Sequence, residues 1–391
     1  MKKLVICLIF LLALACLMSC GERVENTSDQ GEVTAGDSSP RTTADEKSFS
    51  VSPIHGIRYE ELSRRIFSAF DTAYWDGKGV KGHGFWDTAE MLEVYLDGYE
   101  VTGDEEYLQK ALGFADAFLE TYGENWYLNP YNDDLVWGCI ALSRLYGFTG
   151  EERYLTVAKT NFDTVLSRGY DTALGGGLYW STDRESKDAC VNCPAVIAAC
   201  LLSEYTGKDI YLDKAIALME WVLSVFYTSG GGIRSSVTVE GVENPWVGSF
   251  NQGTFIGGCL FLYRHTGEEK WLSYGDSAVE YTVAEMTEAG VIANGEAVRY
   301  DHNLPGGKGI LVRWLYRYAK ALDRRDLLGF LQHSLDVAYG NRNDEGLIWT
   351  DWGKKTLSSL LATEENGYSR FGMSSAVALG FATLPWWDTE A

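Results

Sequence analysis

The chain has 391 residues and a formal net charge of −22, which sets it against nucleic acid and anionic membrane surfaces as partners by simple repulsion. The same charge disfavours polyanionic substrates such as uronic-acid polymers. Five scattered histidines, and a Cys190-x-x-Cys193 pair without a second cysteine pair, make no metal-ligand set. No metal and no organic cofactor is therefore expected.

Lys2 and Lys3 precede an apolar run, Leu4 to Met18, too short to span a membrane comfortably. It ends in Leu17-Met18-Ser19-Cys20-Gly21, which resembles the lipobox of bacterial lipoproteins. The resemblance implies that residues 1–19 are a removable signal and that Cys20 carries a lipid. The chain would then be anchored to the bacterial outer membrane by that lipid and touch the membrane in no other way. An ordinary secretory signal is the alternative. Residues 20–50 are rich in Ser, Thr and acidic residues and poor in large apolar ones, which suits a flexible tether. No second linker interrupts residues 51–391, so one domain is expected there, acting as a monomer.

Within that domain a phrase recurs. It reads Thr102-Gly103-Asp104, Thr149-Gly150-Glu151, Thr206-Gly207-Lys208 and Thr266-Gly267-Glu268, each followed by an aromatic-Leu pair. Leu322-Asp323-Arg324 is a worn fifth copy. Glycine stops one helix in a left-handed conformation, and the acidic group after it suits the start of the next. Apolar residues at helical spacing flank each copy, as in Leu108, Ala111, Leu112, Ala115 and Phe118. Twelve helices are expected, starting near residues 57, 86, 104, 132, 151, 190, 208, 248, 268, 307, 325 and 373. Six hairpins of this period close into an all-α (α/α)6 barrel, or stack as an open solenoid. The number six favours closure, as do the small-apolar runs Ala195 to Leu202 and Gly253 to Leu262.

If the Thr-Gly turns lie at one end, the other end gathers long Gly-rich loops and the inner-helix starts. Those starts read Trp86-Asp87, Asn132-Asp133-Asp134, Asn192, Asn251-Gln252, Lys308 with Arg313, and Ser374-Ser375. The loops add Tyr131, Tyr179, Trp180, Trp246 and Trp352. Each residue alone reads as a cap or a packing group. Together they compose a rim of carboxylates, amides and aromatics suited to sugar hydroxyls and rings.

Asp133 and Asp134 stand out in that rim. Helix capping accounts for them, and so does catalysis, because glycosidic cleavage needs two carboxyl groups. Adjacent aspartates fit the separation of about 5–5.5 Å used by retaining enzymes better than the wider inverting one. Their mutual repulsion would also raise one pKa, as a general acid requires.

Asn132-Asp133-Asp134 with Trp137-Gly138, Asn251-Gln252-Gly253 with Phe255-Ile256-Gly257, Lys308-Gly309-Ile310 with Val312-Arg313, and the Thr-Gly turns resemble glycoside hydrolase family 76. The likeness covers about residues 57 to 385. It implies endo-acting cleavage of α-1,6-linked mannan, with Asp133 as nucleophile and Asp134 as acid/base. Trp86, Asp87, Tyr131, Asn132, Tyr179, Trp180, Asn192, Asn251, Gln252 and Lys308 would serve the α-mannan substrate, and Arg313 would contact sugar or fix a carboxylate. The competing readings are an unsaturated uronyl hydrolase, a sugar epimerase and a non-catalytic glycan-binding lipoprotein. A uronyl hydrolase needs free basic residues at the mouth, and an epimerase needs catalytic histidines.

Overall fold

The computed structural model describes residues 57–80, 84–293, 306–359 and 370–384. The signal segment, Cys20, the tether, and the loop residues Asn294, Gly295 and His302 lie outside them. Among the described residues the chain forms α1 (Tyr59–Tyr74), α2 (Phe85–Thr102), α3 (Glu105–Tyr122), α4 (Asn132–Thr149), α5 (Glu152–Gly169), α6 (Ala189–Thr206) and α7 (Asp209–Val225). It continues with α8 (Ser249–Thr266), α9 (Glu269–Glu285), α10 (Gly307–Ala321), α11 (Arg325–Gly340) and α12 (Arg370–Ala382). Every helix starts within three residues of the position its sequence pattern predicts.

The even-numbered helices form a closed inner ring. Each packs on the next, and α12 packs back on α2. Helices α3, α5, α7, α9 and α11 each lie outside the helix that precedes them, and α1 covers α12. The first and last helices therefore make the sixth hairpin without a covalent turn, which excludes the open solenoid. Burial patterns explain the layering. Outer α3 buries one stripe, Tyr107, Leu108, Ala111, Phe114, Ala115, Phe118 and Leu119. Inner α8 is buried at every position from Phe250 to Leu260, as a helix with neighbours on all sides must be. A methyl group on Gly253 would stand 2.6 Å from Leu311 Cα, so this glycine lets α8 and α10 meet backbone to backbone.

The repeated turns share one geometry. Gly103, Gly150, Gly207 and Gly267 have φ between 64° and 70°, and each donates its N–H to the carbonyl four residues back. The preceding threonine adds a bond that the sequence pattern did not announce. Thr102, Thr149, Thr206 and Thr266 Oγ1 donate to carbonyls of the previous turn. In three of the four turns the same oxygen accepts the N–H two residues on. Only Asp104 caps with its side chain, accepting from Glu106 N. In the worn fifth copy Asp323 itself adopts φ 50°.

Charges fill the ring from the middle of α2 downward. Arg313 lies 2.6 Å from Glu90, 3.0 Å from Glu93 and 2.6 Å from Asp97. Arg144 reaches Glu93, Asp97 and Glu100, and Arg317 joins Asp97 and Glu100. Burial, opposed by Arg313, raises the Glu90 carboxyl to about 7. At the other end, the long loops carry strands that an all-α reading did not foresee. Strands β1 (Ser186–Asp188), β2 (Arg234–Thr238) and β3 (Glu243–Val247) form an antiparallel sheet in that order. A second hairpin pairs β4 (Thr287–Glu288) with β5 (Val291–Ile292).

Candidate active site

The starts of the inner helices converge. The Trp86 ring of α2 lies 6.1 Å from Trp137 of α4, 5.7 Å from Phe250 of α8 and 5.2 Å from Phe371 of α12. This aromatic floor stands where the ring opens, and the Trp86 indole nitrogen is sealed there without a partner.

Asp133 and Asp134 occupy the first turn of α4, and the loop before them is fixed by an arginine. Arg168 donates to Tyr127 O, Asn129 O and Asn132 Oδ1, all within 2.8 Å. The Asn132 N–H meets Trp180 O, and its Nδ2 meets Tyr179 O. Asn129 Nδ2 then donates to Asp134 Oδ2 at 2.8 Å. Burial and the neighbouring Asp134 push the Asp133 carboxyl well above the usual range, against donation from the Trp180 indole and the Asp134 backbone N–H. Burial lifts Asp134 to about 6, opposed by Asn129 and helped by the charge of Asp87. A third carboxyl was not foreseen. Asp188 at the end of β1 accepts from Ser186 Oγ, is lifted to about 6 by burial, and adds its charge to the field on Asp133. It precedes α6 by one residue, an ordinary capping position that gave the sequence no reason to single it out. Burial and mutual repulsion thus both favour the protonated form within the Asp pair.

Rings frame one side of the pair. Tyr131 and Trp180 are 42% and 36% exposed with centroids 5.0 Å apart, a platform of the kind that stacks on sugar faces.

Other expected contacts are corrected by the structure. Asn132 uses its amide on Tyr179 O and Arg168. Asn192 bonds Leu178 N, Leu178 O and Asp188 O. Gln252 bonds Ile233 N, Gly231 O and Ala278 O. All three are fully buried, and they clamp the mouth loops to the ring instead of facing substrate. Tyr179 is buried beneath Lys187 and Arg184. Asp87 accepts from Gly84 N at the start of α2. Lys308 is buried 3.9 Å over the Trp352 ring and near Ile292 O, and burial lowers it to about 7. Arg313 fixes carboxylates in the ring, the second of its two expected roles. Asn251 alone of the four amides keeps both polar atoms unpartnered, although fully buried. It sits two turns before Gly258, whose Cβ position lies nearest Met219 of α7 and then Val196 of α6.

With this geometry in place, sequence comparison decides the family. The model of glycosyl hydrolase family 76 matches residues 59–376. The chain belongs to that family. Two mannan endo-1,6-alpha-mannosidases of Candida albicans are similar to it, one 26% identical over 186 residues and one 25% identical over 232 residues. These matches cover 41% and 51% of this chain, and 41% and 50% of those proteins. The chain thus spans about half the length, or less, of the curated relatives it matches. A family 76 α-1,6-mannanase from Salegentibacter sp. is 27% identical with a TM-score of 0.73, covering 83% of this chain and 98% of the other. An inactive variant of that enzyme, with two consecutive aspartates changed to asparagine, has been solved with α-1,6-mannotriose at the same TM-score and 26% identity over the same shares. As a member of family 76, the chain carries its two adjacent acids at the mouth of an α/α barrel.

Proposed function

We propose that this glycosidase is a retaining endo-α-1,6-mannanase in which Asp133 is the nucleophile and Asp134 the acid/base. The carrying observation is the pair itself, two consecutive carboxyls with raised pKa at the start of an inner helix. The Salegentibacter enzyme supports the reading, because its inactive variant is altered at two consecutive aspartates and holds α-1,6-mannotriose. In the first step Asp134 gives its proton to the glycosidic oxygen, the C1–O bond breaks, and an Asp133 oxygen bonds to C1. Water then attacks C1, Asp134 takes the proton back, and Asp133 leaves as carboxylate.

The proton must sit on Asp134 at the start, whereas burial favours it on Asp133. The Trp180 indole, the Asp134 backbone N–H and the α4 N-terminus all favour an ionised Asp133. Positive charge developing at C1 completes the bias in the same direction. Lys308 and Arg313, the basic residues a uronyl-hydrolase reading would draw on, are both engaged inside the protein.

The test is incubation with unbranched α-1,6-mannan, followed by product sizing and NMR of the released anomers. Internal cleavage with retained α-configuration is expected, abolished in Asp133→Ala and Asp134→Ala. Cleavage that persists in both variants refutes the assignment. We further propose that the enzyme works from a lipid-anchored position at the outer membrane. Membrane association that is lost in Cys20→Ser is the expected result.

A further inference from the structure

Five cysteines fall among the described residues, all as free thiols, and Cys139, Cys193, Cys200 and Cys259 are buried. Cys190 alone is partly exposed. It occupies the first turn of α6, and its Sγ lies 3.7 Å from Asp133 Oδ2 in hydrogen-bonding geometry. The other Asp133 oxygen, Oδ1, is sealed from solvent and has no partner. Cys190 thus joins the Trp180 indole and the Asp134 backbone N–H as a donor to this carboxyl.

We infer that Cys190 is a positioning residue, whose thiol donates to Asp133 Oδ2 and orients the carboxyl for attack on the anomeric carbon. The inference rests on the reading of Asp133 as nucleophile. A carboxylate nucleophile needs one lone pair aimed at the reacting carbon and must not be strongly neutralised by its support. A lysine or arginine in this place would hold the carboxylate ionised but draw charge from it. A neutral, weak S–H donor fixes orientation with little electrostatic cost. The groups around the thiol keep it in that form. Asp133 faces it from α4, Asp188 from β1 and Cys193 from α6 itself; together with burial they raise it well above its usual range. It therefore remains a protonated donor wherever the Asp pair functions.

Two experiments decide the matter. In the first, kcat, KM and the pH profile on α-1,6-mannan are compared for wild type, Cys190→Ala and Cys190→Ser. Loss of one weak S–H hydrogen bond predicts a fall in kcat of roughly five- to tenfold for Cys190→Ala. KM should stay nearly unchanged, and the acid limb should move to higher pH because the ionised nucleophile has lost a donor. Cys190→Ser, which keeps a donor, should recover most of the rate. An unchanged kcat and acid limb in Cys190→Ala, or a serine variant no better than alanine, overturns the inference. Failure of wild type to cleave the mannan instead condemns the proposed function.

The second experiment uses no sugar. Cys190 is labelled with methyl methanethiolsulfonate, whose methylthio group the thiolate takes as methanesulfinate leaves, and mapped by peptide mass. In Asp133→Asn the thiol loses its principal charged neighbour, so labelling at fixed pH should be severalfold faster than in wild type. Equal rates would show that thiol and carboxyl are uncoupled, and would overturn the inference even where an alanine variant fails to fold.

Discussion

At the scale of single residues, the site is decided by which polar groups have unmet bonding capacity. Asn132, Asn192 and Gln252 look identical in kind to Asn251 in the sequence. The first three are engaged by backbone groups and, for Asn132, by the Arg168 side chain, whereas both amide atoms of Asn251 lack a partner. The acids set the pH dependence. If Asp134 is the acid, kcat/KM should fall as pH rises through about 6, where it loses its proton. Stability follows the same sign. Asp134 is raised from 3.8 to about 6 in the fold, so its contribution is full below about pH 4 and lost as pH climbs through 6. Asp134→Asn should accordingly stabilise the fold by about 2 kcal/mol at pH 8 and by little at pH 4. Chemical denaturation at both pH values measures this.

At the scale of elements, the repeated Thr-Gly turn is a local device whose every part can be tested. Nothing lies within 4 Å of a methyl group placed on Gly207, yet its φ of 64° is left-handed. Gly207→Ala should thus cost about 1 kcal/mol from backbone conformation alone, read as a lower denaturation midpoint at unchanged activity. The mouth loops depend on tertiary clamps instead. Gln252→Ala removes three hydrogen bonds between α8 and its neighbours, and a cost of about 2–4 kcal/mol is expected. The turns were legible in sequence because glycine, threonine and an acid act within a few residues of one another. The strands β1 to β3 were not, because short polar segments such as Arg234 to Thr238 become strands only when a partner lies alongside.

At the scale of the molecule, closure and buried charge distinguish this ring from a stack of hairpins. Helix α12 meets both α2 and α1, so no unit is terminal and none can fray without opening the ring. Unfolding should accordingly follow one cooperative transition, where an open solenoid would lose its ends first. The charged interior is the exposed point of this arrangement. Arg313 sits against three acids while 4% exposed. Arg313→Met leaves those acids buried without their partner and should destabilise by about 3–5 kcal/mol. A second change, Glu90→Gln, should return part of that loss in a double-mutant cycle.

The sequence by itself determined the order and approximate starts of the twelve helices found among the described residues, the turns between them, and the two acids that open α4. Those features rest on periodicity and short-range backbone chemistry, which any local stretch carries in full. Only the tertiary structure decided which polar residue of each inner-helix start is free and which is a clamp. It also decided that Cys190 meets Asp133 and that the charge of Asp188 reaches it, though 57 and 55 positions separate them from it in the chain. The physical reason is that burial and hydrogen-bond partners belong to a place in space, and residues distant in sequence meet there only when the ring has closed.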